Sequence, residues 1–215
     1  MIKIENTSVY GLKEALRAMR NPLNSWHLSD STNNDGRFVP GPKDLDLARR
    51  LAQAGDDHGK LTRMIIVYAD ITAPMYWWKE ADTYKVGTVR NSCSTMHTLL
   101  KKPFAIDDFS RDASPGEFVY ANPRFVNLVD ELNAQRDLYM RAPQTELKEQ
   151  IWRNIVQMLP SSYNQKATWM GNYQTLHHMY EARKTHKLSE WHTFCDWVKQ
   201  LPHYNKLYGE EHENN

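Results

Sequence analysis

The stretch WMGNYQTLHHMYEARKTHKLSEWH, Trp169 to His192, predicts a helix, a short break and a second helix. Asn172 lies at the start of the first helix. Arg183 follows eleven residues later, about three turns on and close to the same azimuth. Leu176 and Met179 lie near the same stripe, so this side is expected to pack.

A buried polar group without a partner costs roughly 1–3 kcal/mol, so the carboxamide and the guanidinium need partners in the protein or in a ligand. The alternative is an ordinary helix-start Asn and an Arg that reaches water.

Composition excludes several classes of function. The 215 residues carry a formal net charge of +1, which implies no long-range attraction to nucleic acid or to a membrane surface. The two cysteines, Cys93 and Cys195, do not make a disulfide framework. The most apolar stretch, MIIVYA at 64–69, is too short to span a bilayer, and no secretory segment opens the chain. We therefore expect a cytoplasmic protein with no DNA or membrane partner.

The pattern along the chain predicts one helix-rich α/β (α+β) domain over residues 1–215, with a central sheet flanked by helices. Residues 24–44 are expected to form a long loop and residues 205–215 a disordered tail. The remaining predicted elements are helices at 11–20, 42–55, 74–84, 124–141, 145–158, 172–183 and 187–200, a strand at 62–71, an extended piece at 166–171, a loop at 85–97 and an irregular segment at 103–123.

Other residues with chemical potential give weaker signals. His177 with Glu181 and His186 with Glu190 are each four apart, but no HExxH or ExxH pattern is present, so no metal site is predicted. The loop GTVRNSCST at 87–95 could cradle a phosphate or be an ordinary polar loop. Within it, Cys93 would be a nucleophile only if a cation lowered its pKa.

The C-terminal block of the chain resembles that of the flavin-dependent thymidylate synthases, the ThyX family. That block has a Leu-Pro pair, a Tyr, a Trp three residues before an Asn, an Arg eleven residues after the Asn, then a His and a Glu. In this chain they are Leu159-Pro160, Tyr163, Trp169, Asn172, Arg183, His186 and Glu190. The resemblance implies that both ends of the helical stripe face ligands, with Asn172 holding FAD and Arg183 contacting deoxyuridylate.

The middle of the chain is similar to the family as well. A strand ends in Ala73-Pro74, an aromatic helix MYWWKEAD follows, and TYKVGTVRNSCS at 83–94 aligns with the family motif RHRxxSxNExS if one residue is inserted. Several cationic positions of the family differ here. The departures are Thr83, Tyr84 and Lys85 for three basic residues, Ser92 for an acid, Met96 for a phosphate-gripping Arg, and Gln174 for an Arg beside the flavin.

Residue by residue, the resemblance implies two sets of site residues. The cofactor set is Asn172, Asn91, Tyr84, Lys85, Thr88, Gln174 and His178. The nucleotide set is Arg183, Ser94, Ser92 and Glu80, with Arg183 and Ser94 as the catalytic residues.

The activity that the resemblance implies is FAD-mediated transfer of a methylene or methyl group. The donor would be methylenetetrahydrofolate, the acceptor dUMP or a related pyrimidine deoxynucleotide, and the reductant NADPH. The family is a homotetramer with shared sites, so self-association is expected, and Cys93 need not act. Two alternatives stay open: a non-catalytic nucleotide- or flavin-binding protein on the same scaffold, and an interaction protein that uses its aromatic surface.

Overall fold

The structure is a computed structural model that describes residues 2–111 and 123–209. Its strands and helices run in the order β1 (Lys3–Tyr10), α1 (Leu12–Ala18), β2 (Thr32–Asn34), β3 (Arg37–Val39), α2 (Pro42–Gln53), β4 (Ile66–Pro74), α3 (Met75–Ala81), β5 (Val89–Ser92), α4 (Thr95–Thr98), α5 (Pro123–Arg141), α6 (Thr145–Met158), β6 (Asn164–Asn172), α7 (Tyr173–Arg183), α8 (Ser189–Lys199) and α9 (Tyr204–Tyr208). Short 3-10 helices lie at Asn21–Leu23, Trp26–Leu28, Gly59–Met64 and Ile106–Asp108.

The strands form two sheets. The larger sheet has four antiparallel strands in the order β1-β4-β6-β5. The smaller is the β2–β3 hairpin, whose antiparallel register pairs Thr32 with Val39 and Asn33 with Phe38. The predicted class, a helix-rich α/β fold built around a sheet, is confirmed.

The chain divides into two compact units. The first contains the described residues of Met1–Lys3, Thr72–Ala81 and Ser92–Ala167. The second contains those of Ile4–Ile71, Asp82–Asn91 and Thr168–Asn215. The expectation of a single domain stays a prediction.

The core of the first unit forms where α5 packs against α6. The apolar residues of these helices recur at helical spacing, which gives each helix one buried face. Leu132 and Ile155 are fully buried there, and the ring of Phe109 lies edge-on to Phe125 and Tyr163. The predicted helices at 124–141 and 145–158 are confirmed within a residue at each end.

The core of the second unit includes α7 and α8, the helices predicted from the opening stretch. Leu176 and Met179 of α7 are completely buried, as are Trp191 and Phe194 of α8. The indole of Trp191 and the ring of Phe194 meet edge-on at 5.4 Å. The prediction that Leu176 and Met179 face the packed side is therefore confirmed.

Several local predictions differ from the structure. The segment 24–44 is not one loop, because it contains the β2–β3 hairpin and a 3-10 turn, and α2 begins within it at Pro42. Asp35 and Gly36 adopt φ values of 50° and 78°, as the two central residues of a hairpin turn require. The Asp-Gly pair was the sequence signal for that turn.

The predictions for the strands and for the C-terminal tail also differ from the structure. The predicted strand at 62–71 begins only at Ile66, because the residues before it form a 3-10 helix, and it continues to Pro74. The predicted loop at 85–97 contains β5 and α4. Strand β1 was not predicted, since its residues lack an apolar alternation. Helix α9 occupies part of the predicted tail, and residues 210–215 lie outside the described residues, as do 112–122 of the segment predicted to be irregular.

Candidate functional site

The N-terminus of α7 is fixed by Asn172. This residue ends β6 with an extended backbone, and its side-chain Oδ1 accepts a hydrogen bond from the backbone N–H of Thr175 at 2.9 Å. The bond satisfies one of the N–H groups that a helix leaves unpaired at its start. Asn172 is 8% exposed, so its carboxamide requires hydrogen-bond partners within the structure. The backbone N–H of Thr175 in the same helix supplies one of them.

The C-terminus of α7 carries Arg183 in an aromatic setting. The guanidinium donates from Nε to the phenolic oxygen of Tyr84 at 2.9 Å. Its carbon lies 4.8 Å from the centre of the Trp191 ring and 5.5 Å from that of Tyr84. Both distances are within the range of cation–π attraction. The side chain is half-buried, and the contacts hold it in one orientation.

The loop that follows α3 reaches both ends of α7. Tyr84 contacts Arg183 at one end, and the Val86 carbonyl accepts from Thr175 Oγ1 at 3.1 Å at the other. Gly87 has a φ of +74°, and a Cβ at that position would come within 2.5 Å of Asn172 Nδ2. Only glycine combines this backbone with so close an approach. We call residues 83–88 the α7 loop.

Two side chains of the α7 loop have contrasting settings. Thr88 donates its hydroxyl to the Tyr84 carbonyl, a bond that closes the loop on itself. Lys85 is exposed, which leaves its ammonium accessible to an anion. Just beyond the loop, Arg90 Nη1 lies 3.2 Å from Asp82 Oδ2, so that cation is paired within the second unit.

The structure brings only some of the predicted site residues together. Tyr84, Asn172 and Arg183 meet through the α7 loop. Gln174 is half-buried on the first turn of α7, and His178 is exposed with its Nε2 at 3.3 Å from Asp56 Oδ1. Asn91 is exposed on β5. Ser92, Ser94 and Glu80 belong to the first unit, where Ser92 ends β5, Ser94 precedes α4 and Glu80 lies on α3.

Two polar clusters in the second unit were missed by the sequence reading. Asp70 of β4 accepts from Asn6 Nδ2 at 2.9 Å and from Thr168 Oγ1 at 2.7 Å, which links three adjacent strands. A lone acid in an apolar strand was the available signal. In the other cluster, Arg20 and Asp44 form a buried ion pair, and no periodicity connects residues that far apart.

The cysteines occupy different environments. Cys93 is exposed. Cys195 is buried in α8, and burial raises the pKa of its thiol to about 11, so it stays protonated at neutral pH.

The described residues contain neither a metal-binding cluster nor a membrane-spanning helix. No group of three or more His, Cys, Asp or Glu side chains in this part of the chain could hold a metal ion. No helix in residues 2–111 and 123–209 is long and apolar enough to cross a membrane.

The fold is shared with flavin-dependent thymidylate synthases. A crystal structure of thymidylate synthase X (ThyX) from Helicobacter pylori with FAD and dUMP superposes with a TM-score of 0.68 at 18% identity, over 97% of this chain and 97% of that one. A second structure of the same enzyme, also complexed with FAD and dUMP, gives 0.64 at 18% identity over 96% and 97%. No protein-family model and no curated protein matches the sequence. At this identity the likeness shows the fold alone.

Proposed function

We propose that this chain is a divergent flavin-dependent thymidylate synthase. It would use FAD to transfer a one-carbon unit from methylenetetrahydrofolate to dUMP or a related pyrimidine deoxynucleotide, with NADPH as reductant. The observation that carries the proposal is the shared fold over 97% of both chains with an enzyme solved with FAD and dUMP. Because a fold hosts several functions, the residues of α7 and its loop must supply the rest of the support.

The groups around the start of α7 fit the polar part of a flavin ring. Asn172, Gln174 and the α7 loop provide amide, hydroxyl and backbone groups, which are both donors and acceptors. The N-terminus of α7 adds the positive end of a helix dipole, which favours negative charge. The Gly87 backbone lies so close to Asn172 that a Cβ would have no room there, and this keeps the backbone of the α7 loop beside the Asn172 carboxamide.

The diphosphate of FAD has fewer partners in this loop. Lys85 is the exposed cation of the α7 loop, and we assign it to that part of the cofactor. Tyr84, Thr88, Asn91 and His178 complete the proposed cofactor set by resemblance. When bound, FAD would supply the redox and carbon-carrier chemistry, while the residues of this chain bind and orient the reactants.

Arg183 is the proposed contact to the pyrimidine nucleotide. Its guanidinium is a planar donor fork that suits a pyrimidine edge or a phosphate. The aromatic rings of Tyr84 and Trp191 already hold it in place, which lowers the entropic cost of using it. Ser94, Ser92 and Glu80 join the nucleotide set by resemblance. We further propose that the protein is a cytoplasmic homotetramer whose subunits share sites, as the resemblance implies.

Two measurements on the purified protein test this function. The visible absorbance spectrum after reconstitution with FAD should show a bound, perturbed flavin. Incubation with dUMP, methylenetetrahydrofolate and NADPH should then yield dTMP. Absence of both signals would exclude the proposed class, and turnover of another pyrimidine deoxynucleotide in place of dUMP would redefine the substrate.

The second candidate is a non-catalytic flavin- or nucleotide-binding protein on the same scaffold. It is favoured by the loss of two basic family residues, where this chain has Thr83 and Tyr84, and by the contacts of Arg183 with protein rings. Flavin or dUMP binding without any turnover would select this candidate over the first.

A further inference from the structure

A cavity of about 270 Å³ lies beside α1 in the second unit. Its lining comes from α1, from Arg20 just after that helix, and from the segment 26–44, which includes the β2–β3 hairpin. None of its lining residues belongs to the proposed flavin or nucleotide sets. It therefore requires an explanation of its own.

Two lining residues of the cavity, Arg20 and Asp44, form a buried ion pair whose charges cancel. Arg20 is 5% exposed and Asp44 1%. Arg20 donates from Nε to Asp44 Oδ1 at 2.7 Å, and the hydroxyls of Ser29 and Ser31 each donate to Asp44 Oδ2 at 2.5 Å. Burial works to raise the pKa of Asp44, but the bonds from Ser29, Ser31 and Arg20 outweigh it and hold the pKa below its usual value. Asp44 therefore stays ionised and cancels the charge of Arg20.

The rim of the cavity is positively charged. Lys13 and Arg17 are exposed, four residues apart on α1, and both line the cavity. Residues with this spacing are neighbours on one helix face. Asp44 is the one acidic residue of the lining, and it is already matched by Arg20. Lys13 and Arg17 therefore add two positive charges that no lining carboxylate balances, which suits a doubly charged anion such as a phosphate monoester.

An aromatic surface stands in the same lining. Trp26 is 44% exposed, yet its indole Nε1 donates to Asn21 Oδ1 at 2.9 Å, which fixes the ring. A fixed, exposed indole is a ready surface on which a flat ring can stack. Phe38 is half-buried beside the cavity, and Asn33, its partner in the hairpin register, adds a donor and an acceptor.

We propose that this cavity binds a nucleoside monophosphate, with the phosphate at Lys13 and Arg17 and the base against Trp26. The two positive charges match the phosphate dianion, and the flat indole matches the base. The amide of Asn33 can hydrogen-bond the polar groups of the base or the sugar. Small-molecule pockets commonly run to about 300–1,000 Å³, so a cavity of about 270 Å³ takes a mononucleotide sooner than a dinucleotide such as FAD. The lining shares no residue with the proposed flavin and nucleotide sets, so the proposal does not rest on the proposed function.

Calorimetric titration of the full chain tests the proposal. The probes are thymidine monophosphate, thymidine and inorganic phosphate, added in an Arg183→Ala background so that the proposed substrate site does not contribute. The monophosphate is expected to bind at least tenfold more tightly than either of the other two probes. Its affinity is also expected to fall as salt rises, because screening weakens the exposed charges.

Matched variants locate the binding. Lys13→Gln with Arg17→Gln should weaken the monophosphate at least tenfold, and Trp26→Ala should weaken it about tenfold while leaving phosphate binding unchanged. The control is Lys43→Gln with Arg50→Gln, which removes the same charge from exposed positions of α2 outside this cavity and should change affinity less than twofold. Absence of binding, equal losses in the two double variants, or phosphate binding as tightly as the nucleotide would overturn the proposal. If one variant does not fold, the other still decides, because the charge and the ring are removed separately.

Discussion

Arg183 and Tyr84, 99 residues apart in the chain, are joined by a hydrogen bond of 2.9 Å from the guanidinium Nε to the phenolic oxygen. The same guanidinium lies over the ring of Trp191 at 4.8 Å. The polar end of the α7 stripe thus has partners within the protein. Arg183 is therefore part of the fold of the second unit as well as a proposed ligand contact.

Removal of Arg183 should have two measurable effects. Arg183→Ala is expected to lower the free energy of unfolding by about 1–2 kcal/mol, because it loses a hydrogen bond and partly exposed cation–π contacts. If the proposed function holds, it should also weaken dUMP binding by more than tenfold. Denaturant titration and calorimetry measure the two effects.

Tyr84→Phe is the matched control for Arg183→Ala. It keeps the aromatic ring under the guanidinium and removes only the phenolic acceptor, so its stability cost should be about 0.5–1.5 kcal/mol and its effect on dUMP affinity less than threefold. Loss of stability in Arg183→Ala with unchanged nucleotide affinity would make Arg183 purely structural.

Asn172 allows its capping role to be separated from its proposed role in flavin binding. Asn172→Ala should lower stability by about 0.5–2 kcal/mol, the usual cost of losing an N-cap. Asn172→Ser retains an oxygen that can cap the Thr175 N–H, so its stability should stay within about 0.5 kcal/mol of the parent. Both variants lose the amide Nδ2, and both should retain FAD less well. Normal FAD affinity in the Ser variant would limit Asn172 to the cap.

The two thiols should differ sharply in reactivity. Cys93 is exposed, whereas Cys195 is buried with its pKa raised to about 11. A thiol reagent at neutral pH should therefore label Cys93 quickly and Cys195 only on unfolding, because the thiolate is the reactive form. Mass spectrometry of partly labelled protein identifies the site.

The activity of Cys93→Ser tests the chemical role of that thiol. The proposed flavin chemistry needs no cysteine nucleophile, so this variant should keep most of the activity. A folded but inactive Cys93→Ser protein would instead indicate covalent catalysis.

The parts of the fold that sequence predicted are those with long helical periodicity. Leu176 and Met179 were placed on the packed side of α7 by their spacing, and both are fully buried. Strand β1 was missed because its residues mix charged and polar side chains without alternation. The hairpin at 32–39 was missed although Asp35-Gly36 is a favoured turn pair, because a Gly- and Asn-rich segment was interpreted as a loop.

The site was only partly predictable for a different reason. Periodicity places Asn172 and Arg183 on one stripe of α7, but it does not say what lies opposite. Their partners, Tyr84 and Gly87, come from a loop that is separated from α7 by three further α-helices and two strands. Such long-range proximity follows from the tertiary fold. The Arg20–Asp44 pair is hidden for the same reason.

The Arg20–Asp44 pair predicts a strong dependence of stability on Asp44. Asp44→Ala leaves a buried guanidinium unpaired and should cost about 3–5 kcal/mol. Asp46→Ala is the control, because its pairs with Arg49 and Arg50 are exposed and exposed pairs contribute about 1 kcal/mol or less. Chemical denaturation of the two variants measures the difference, and equal costs would contradict the assigned role of the buried pair.

The lowered pKa of Asp44 gives the pH dependence of the same contribution. A carboxyl whose pKa is lower in the folded state stabilises the fold above its unfolded pKa of about 3.9. That contribution is lost as pH falls from this value through the folded pKa. The parent protein should therefore lose more stability between about pH 5 and pH 3 than Asp44→Asn does. Parallel denaturation curves across this range would contradict the assignment.

Gly87 and Gly36 form a matched pair that tests the closeness of the α7 loop to α7. Both have left-handed backbones, with φ of +74° and +78°, so an alanine at either position costs about 1–2 kcal/mol of backbone strain. A Cβ at Gly36 would meet nothing within 4 Å, whereas at Gly87 it would lie 2.5 Å from Asn172 Nδ2. Gly87→Ala must therefore also displace the carboxamide that caps α7.

We expect Gly87→Ala to lower the free energy of unfolding by at least about 1 kcal/mol more than Gly36→Ala does, since it adds the loss of a cap to the strain. If the proposed function holds, Gly87→Ala should also reduce FAD retention, while Gly36→Ala leaves it unchanged. Denaturant titration and flavin absorbance after gel filtration provide the two readouts, and equal losses of stability would show that the loop does not press on Asn172 in solution.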